Sequence, residues 1–182
     1  MNLPNKITMV RVVLIPFFVF FMLTNVVPYS RFIAVAIFIV ASLTDTLDGY
    51  LARKYKLVSN FGKFMDPLAD KLLVCSALVC FVADTANPMP VWGVIIIISR
   101  DFIISGFRLV ASDAGLVIAA SWWGKIKTVV QMLMSILLIV NFSGQIIDIV
   151  EYVFIYGAIA LTVISLIDYL VKNWKIIDDG NM

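Results

Sequence analysis

Four aspartates at helical spacing, in a chain that is otherwise mostly apolar, are the residues equipped for chemistry. Asp45 and Asp48 stand three positions apart, Asp66 and Asp70 four apart, with Gly49, Ala52, Arg53 and Gly62 among them. Side chains at these spacings are neighbours on one helix face. An ionised group inside an apolar helix costs roughly 2.5–3.5 kcal/mol on insertion scales, so a cluster of four requires compensation. Carboxylates alone form an all-oxygen site, which suits hard divalent cations such as Mg2+ or Mn2+. Two such ions would be placed to clamp a phosphoryl group in transfer.

The residues between the aspartates fit a ligand of that kind. A glycine inside a helix, as at position 49, costs about 1 kcal/mol relative to alanine. Its use would be close approach by a ligand or a neighbouring helix, and Ala52 and Gly62 keep the same surface shallow. Arg53 offers a bidentate fork for phosphate. Ion pairs with Arg53, Lys54, Lys63 and Lys71 would neutralise one or two aspartates, yet would leave four beside two glycines unexplained. The chain contains no histidine. Ser-His-Asp and Cys-His mechanisms, paired-histidine phosphodiester cleavage and histidine-ligated zinc are therefore excluded. Cys75 and Cys80 form no CxxC site and read as buried small hydrophobes.

The elements that must position these groups are membrane helices. Of 182 residues, 62% are hydrophobic and 14% charged, and the mean hydropathy is +1.02. Such values lie far outside the soluble range. The expected fold is all-α: a polytopic membrane protein, one domain over residues 1–182, with six transmembrane helices. About 20 apolar residues cross a bilayer, which places the spans near residues 7–27, 31–53, 63–83, 90–111, 122–142 and 148–171. The first run lacks a small-x-small cleavage site and is expected to be retained as a span. Turn chemistry falls at Val27-Pro28-Tyr29-Ser30, Asn60-Phe61-Gly62, Asn87-Pro88-Met89-Pro90 and Asn141-Phe142-Ser143-Gly144, and Trp122, Trp123 and Trp174 stand at span ends. With the N-terminus inside, every lysine and arginine except Arg31 falls on the cytoplasmic half, a strong positive-inside bias. The C-terminus is then also inside, and all four aspartates approach the cytoplasmic face.

The run Asp45-x2-Asp48-Gly49-x2-Ala52-Arg53-x8-Gly62-x3-Asp66-x3-Asp70 resembles the complete signature of the CDP-alcohol phosphotransferases. The resemblance implies a CDP-linked donor and two divalent metals bound within six transmembrane helices, usually in a homodimer. It makes Asp45, Asp48 and Asp66 metal ligands. Asp70 would be both a ligand and the base that deprotonates the acceptor hydroxyl. Gly49, Ala52, Arg53 and Gly62 would line the CDP site.

Three further segments resemble the bacterial branch of that family that makes phosphatidylglycerol phosphate. They are Leu3-Pro4-Asn5-x2-Thr8-x2-Arg11, Ser99-Arg100-Asp101 through Ser105-Gly106-Phe107-Arg108, and Gly124-Lys125-Ile126-Lys127-Thr128. The first of these implies a short N-terminal interfacial helix leading into the first span, with Asn5 and Thr8 expected on the donor side. Independently of any resemblance, Arg100 and Arg108 are two guanidiniums in an apolar helix. Asp101 would neutralise one, and the other needs an anion such as the phosphate of glycerol 3-phosphate. Lys125 and Lys127, at the start of the next helix, would add charge there, unless they merely snorkel to the interface. The resemblance implies transfer from CDP-diacylglycerol to sn-glycerol 3-phosphate in a bacterial cytoplasmic membrane, with membrane lipid around the protein and no nucleic-acid partner. Inositol phosphate, serine or phosphatidylglycerol as acceptor remains open at this stage, as does a divalent-cation transporter.

Overall fold

A computed structural model describes residues 3–24, 26–54, 60–84, 89–113, 118–119 and 121–174. It describes side chains for all of these except 3–4, 45–54, 60–64, 66–67 and 113. Among the described residues the chain is helical throughout, with no strand. The helices are α1 (Leu3–Leu23), α2 (Ser30–Lys54), α3 (Asn60–Ala83), α4 (Val91–Asp113), α5 (Trp122–Val140) and α6 (Gln145–Lys172). Two compact units result, one of Met1–Pro88 with Ile136–Asn141, the other of Met89–Ser135 with Phe142–Met182.

Among the described residues, three helices, α1 over Asn5–Leu23, α5 and α6, are long and apolar enough to cross a membrane, and Ser30–Thr44 of α2 is a shorter apolar stretch. Helix α4 is of similar length, but Arg100, Asp101 and Arg108 interrupt its apolar run. Two expected boundaries are corrected. The opening segment is no separate interfacial helix but the first turns of α1, because no breaker separates Asn5 from Ile7 and Pro4 is well tolerated in a first turn. Asn60 and Gly62 lie inside α3 rather than in a turn. The Asn141 turn holds as expected, with φ at 49°, a left-handed conformation that asparagine tolerates.

In the first unit, α1 packs on both α2 and α3. Its buried stripe runs Asn5, Thr8, Arg11, Ile15, Phe18 and Met22, one residue per turn. Phe18 meets Phe38 with ring centroids 5.8 Å apart, and Arg11 meets Thr44. Numbering rises along α1 as it falls along α2, so the two are antiparallel. Arg31, at the start of α2, pairs with Asp84, just past the end of α3, at 2.8 Å. Helices α2 and α3 are therefore antiparallel too.

In the second unit α4 and α6 run parallel. Trp92 lies against Tyr156, Arg100 against Ser165 and Phe107 against Tyr169, so both numberings climb together. They pack tightly at Gly93, where an added Cβ would stand 2.5 Å from Ile159 Cδ1 and 3.2 Å from its Cγ1. The outward faces stay apolar. Val13 and Phe17 on α1, Leu109 on α4 and Ile146, Val153 and Val171 on α6 are all exposed. Apolar residues on both the inner and outer faces fit an apolar surrounding medium.

Gly93→Ala is expected to destabilise the protein by about 1–3 kcal/mol through overpacking. Ile159→Val removes the clashing Cδ1, so the double variant should recover most of that loss when unfolding is followed in detergent. Additive losses would mean that the two residues do not limit this approach.

Candidate active site

The acidic ends of α2 and α3 are brought to one level by helix geometry. Asp45 lies 14 positions beyond Arg31, and Asp70 lies 14 positions before Asp84. At about 1.5 Å per residue, both stand about 21 Å from that ion pair on antiparallel helices. Asp48 and Asp66 come one turn further on, at 17 and 18 positions respectively. The side chains of Asp45, Asp48, Gly49, Ala52, Arg53, Gly62 and Asp66 lie outside the described ones. Asp70 is described and half-buried, and it is not without a partner. Among the described residues no group of three metal-ligating side chains occurs. All four positions are aspartate and stand level across two helix ends, a residue chemistry that suits a hard divalent cation.

The same level of the unit carries a buried polar stripe from α1. Thr8 and Arg11 are fully buried, and Asn5 nearly so. Arg11 Nε donates to Thr44 Oγ1 at 3.5 Å, one residue before Asp45. Because α1 and α2 are antiparallel, Thr8 and Asn5 continue past that point, along the part of α2 that bears Asp45 and Asp48. Arg11 was legible only as part of a motif, yet a charged side chain three positions from Thr8 was the signal that it faces inward.

The second unit holds a basic cavity of about 150 Å3 lined by Arg100, Ile104, Arg108, Ser121, Gly124, Lys125, Thr128 and Tyr169. Arg100, Ile104 and Arg108 recur every fourth residue and so share one face of α4. The start of α5 supplies the next wall. Ser121 Oγ accepts a hydrogen bond from the Gly124 N–H at 3.1 Å, a side-chain cap of this helix. The positive end of the α5 dipole therefore lies at the cavity.

Asp101 organises the cations. Its Oδ1 accepts from Arg100 Nη1 at 3.0 Å, and its two oxygens accept from Lys127 Nζ at 2.6 and 2.7 Å. Arg100 Nε donates to Ser165 Oγ at 3.1 Å. The structure thus brings Arg100, Arg108 and Lys125 to one cavity but directs Lys127 elsewhere. Lys127 is 2% exposed and bonded to Asp101, whereas it was expected on the acceptor phosphate. Residues 125 and 127 are two apart and so point to nearly opposite sides of α5, and only one of them can face the cavity. Arg108 and Lys125 have no ion-pair partner among the described residues. Gly124 completes the arrangement, since an added Cβ would stand 3.0 Å from Arg100 Nη2.

The sequence profile described as CDP-alcohol phosphatidyltransferase matches residues 1–164. Proteins named CDP-diacylglycerol–glycerol-3-phosphate 3-phosphatidyltransferase are similar along nearly their whole length. That of Bacillus subtilis (strain 168) is 44% identical, covering 99% of each chain. That of Haemophilus influenzae is also 44% identical, covering 93% of this chain and 91% of its own. The Rickettsia typhi protein is 36% identical, covering 90% and 92%.

Gly124→Ala is expected to displace a guanidinium already tied at Nε and Nη1, and to weaken binding of inorganic phosphate about 3–10-fold, the worth of one hydrogen bond. Thermal stability should hold, because alanine is the better helix former. Titration of the purified variant checks this, and unchanged affinity would show that Arg100 Nη2 takes no part.

Proposed function

The chain belongs to the CDP-alcohol phosphatidyltransferase family, and from that membership we propose that it moves the phosphatidyl group of CDP-diacylglycerol onto sn-glycerol 3-phosphate. The products are phosphatidylglycerol phosphate and CMP. The observation that carries the choice of acceptor is the basic cavity of the second unit. An acceptor with its own phosphate needs such a pocket, whereas an uncharged or cationic alcohol does not. The names of the relatives point to the same pair of substrates.

The first unit acts on the donor. Asp45, Asp48, Asp66 and Asp70 hold two divalent cations, Mg2+ or Mn2+. Bound there, the cations supply neutralisation of the diphosphate and of the charge left on CMP. Gly49, Ala52 and Gly62 leave room for the CDP moiety, and Arg53 donates to its phosphate. Asn5 and Thr8 contribute polar contacts from α1. The second unit acts on the acceptor, with Arg100, Arg108 and Lys125 donating to its phosphate and Lys127 holding Asp101 in place. Asp70 takes the proton of the glycerol hydroxyl as that oxygen bonds to the lipid-side phosphorus in line and the P–O bond to CMP breaks.

Six crossings, with both termini at the cytoplasmic side of a bacterial cell membrane, support this division. Alternating crossings require α1 parallel to α3, both opposed to α2, and α4 parallel to α6. Each relation holds within its own unit. The exposed apolar faces are then covered by lipid and, in a homodimer, by a second copy. The whole chain works as one catalytic domain.

Purified protein should release CMP from CDP-diacylglycerol only when glycerol 3-phosphate and a divalent cation are both present, and a chelator should stop it. CMP release without glycerol 3-phosphate, or with serine in its place, would overturn the acceptor assignment. Asp70→Asn should lower kcat by at least roughly 10²–10⁴-fold, the usual worth of a general base, while CDP-diacylglycerol still binds. Near-normal turnover would remove Asp70 from that role. Arg108→Ala should raise KM for glycerol 3-phosphate about 10–100-fold, the loss of a charge-assisted contact. Equal losses for donor and acceptor would mark it as structural.

A further inference from the structure

Helix α6 carries a polar stripe through an apolar helix: Glu151, Thr162, Ser165 and Tyr169 are all buried. Three of these serve the helix itself or its neighbours. Thr162 Oγ1 donates to the Ala158 carbonyl. Ser165 Oγ donates to the Thr162 carbonyl and accepts from Arg100, and Glu151 is likewise engaged. Tyr169 differs. It is 3% exposed, it lines the basic cavity, and its hydroxyl has no hydrogen-bond partner among the described residues.

Tyr169 lies one turn beyond Ser165, on the face of α6 that meets Arg100. Its ring stands edge-on to Phe107, with centroids 5.6 Å apart and an interplanar angle of 86°, an arrangement aromatic pairs prefer. Arg100 and Arg108 line the same cavity. A buried hydroxyl normally finds a partner, and phenylalanine would fill the same space without that requirement. The cavity's own polar groups offer little to a donor. Guanidinium and ammonium groups only donate, and the Ser121 and Thr128 hydroxyls make their bonds to Gly124 and none to the phenol. What the cavity binds can supply the missing acceptor.

We propose that Tyr169 contacts the acceptor substrate, donating its phenolic O–H to a phosphate oxygen held by Arg100, Arg108 and Lys125, and so helps select phosphomonoester acceptors. The assignment rests on the acceptor reading of this cavity given above. A phosphomonoester dianion has more lone pairs than the arginines and lysine can fill, and the phenol takes one from a third helix. No arrangement of α4 and α5 alone would supply that contact. A carboxylate or hydroxyl ligand of similar size would leave either the phenol or a guanidinium unfilled, which is how a buried donor discriminates between ligands.

The test is Tyr169→Phe in the full chain, measured three ways. Affinity for inorganic phosphate and for glycerol 3-phosphate should each fall about 5–20-fold. KM for glycerol 3-phosphate should rise by a similar factor, with KM for CDP-diacylglycerol changed less than twofold. Thermal stability without ligand should stay at or above that of the parent protein, since the variant loses a hydroxyl with no protein partner. Equal affinity of variant and parent for both anions would overturn the proposal while leaving the proposed reaction intact. A lower melting temperature with parallel loss of donor and acceptor use would also overturn it, marking Tyr169 as a packing residue. A parent protein that binds phosphate but releases no CMP with glycerol 3-phosphate would sink the reaction instead. Weaker phosphate binding by the variant would then still support the Tyr169 contact. As a second variant, Phe107→Leu removes the ring that orients the phenol and should lower glycerol 3-phosphate affinity in the same direction but by less. A larger loss than in Tyr169→Phe would count against the hydroxyl as the operative group.

Discussion

An ionised side chain surrounded by apolar atoms must be answered by another group, and this requirement arranges nearly everything else in the molecule. Asp101 answers Arg100 and Lys127 together and so ties α4 to α5. Arg31 and Asp84 answer each other and set the register of α2 against α3. Arg11, fully buried, turns toward Thr44 in the core of the first unit. The groups left over after this pairing are the informative ones. Arg108 and Lys125 border the cavity with no carboxylate of their own among the described residues, and Tyr169 offers a proton that nothing nearby accepts.

The helices were largely legible in the sequence, because long apolar runs admit few other structures. The boundaries were less so, and for a physical reason. Residues that look like turn formers in isolation, such as Asn60 and Gly62, belong to α3. Arg100, Asp101 and Arg108 interrupt the apolar run of α4, yet the helix keeps its full length. The aspartate pattern was readable because a helix repeats in three or four residues, and the level match of the two pairs follows from that repeat once Arg31 is seen to meet Asp84.

The basic cavity was only half readable. Arg100 and Arg108 announce themselves as charges within an apolar run. The roles of Lys125 and Lys127 depend on which side of α5 faces α4, which no local pattern reveals. Tyr169 carries no motif at all. It is one tyrosine in a long apolar helix, and its meaning comes from Phe107, Arg100 and Arg108, more than sixty positions away in sequence and brought near by the parallel packing of α4 and α6.

The Arg31–Asp84 pair also works as a depth gauge. On the six-span reading it marks the outer boundary of a hydrocarbon layer about 30 Å thick. The level of Asp45 and Asp70, about 21 Å away by helix rise, then stops about 9 Å short of the opposite boundary. Phosphoryl transfer would take place in a recess below the headgroups. The water-soluble reactant has to descend into that recess, while the lipid-borne one needs only to slide its polar end sideways from the leaflet.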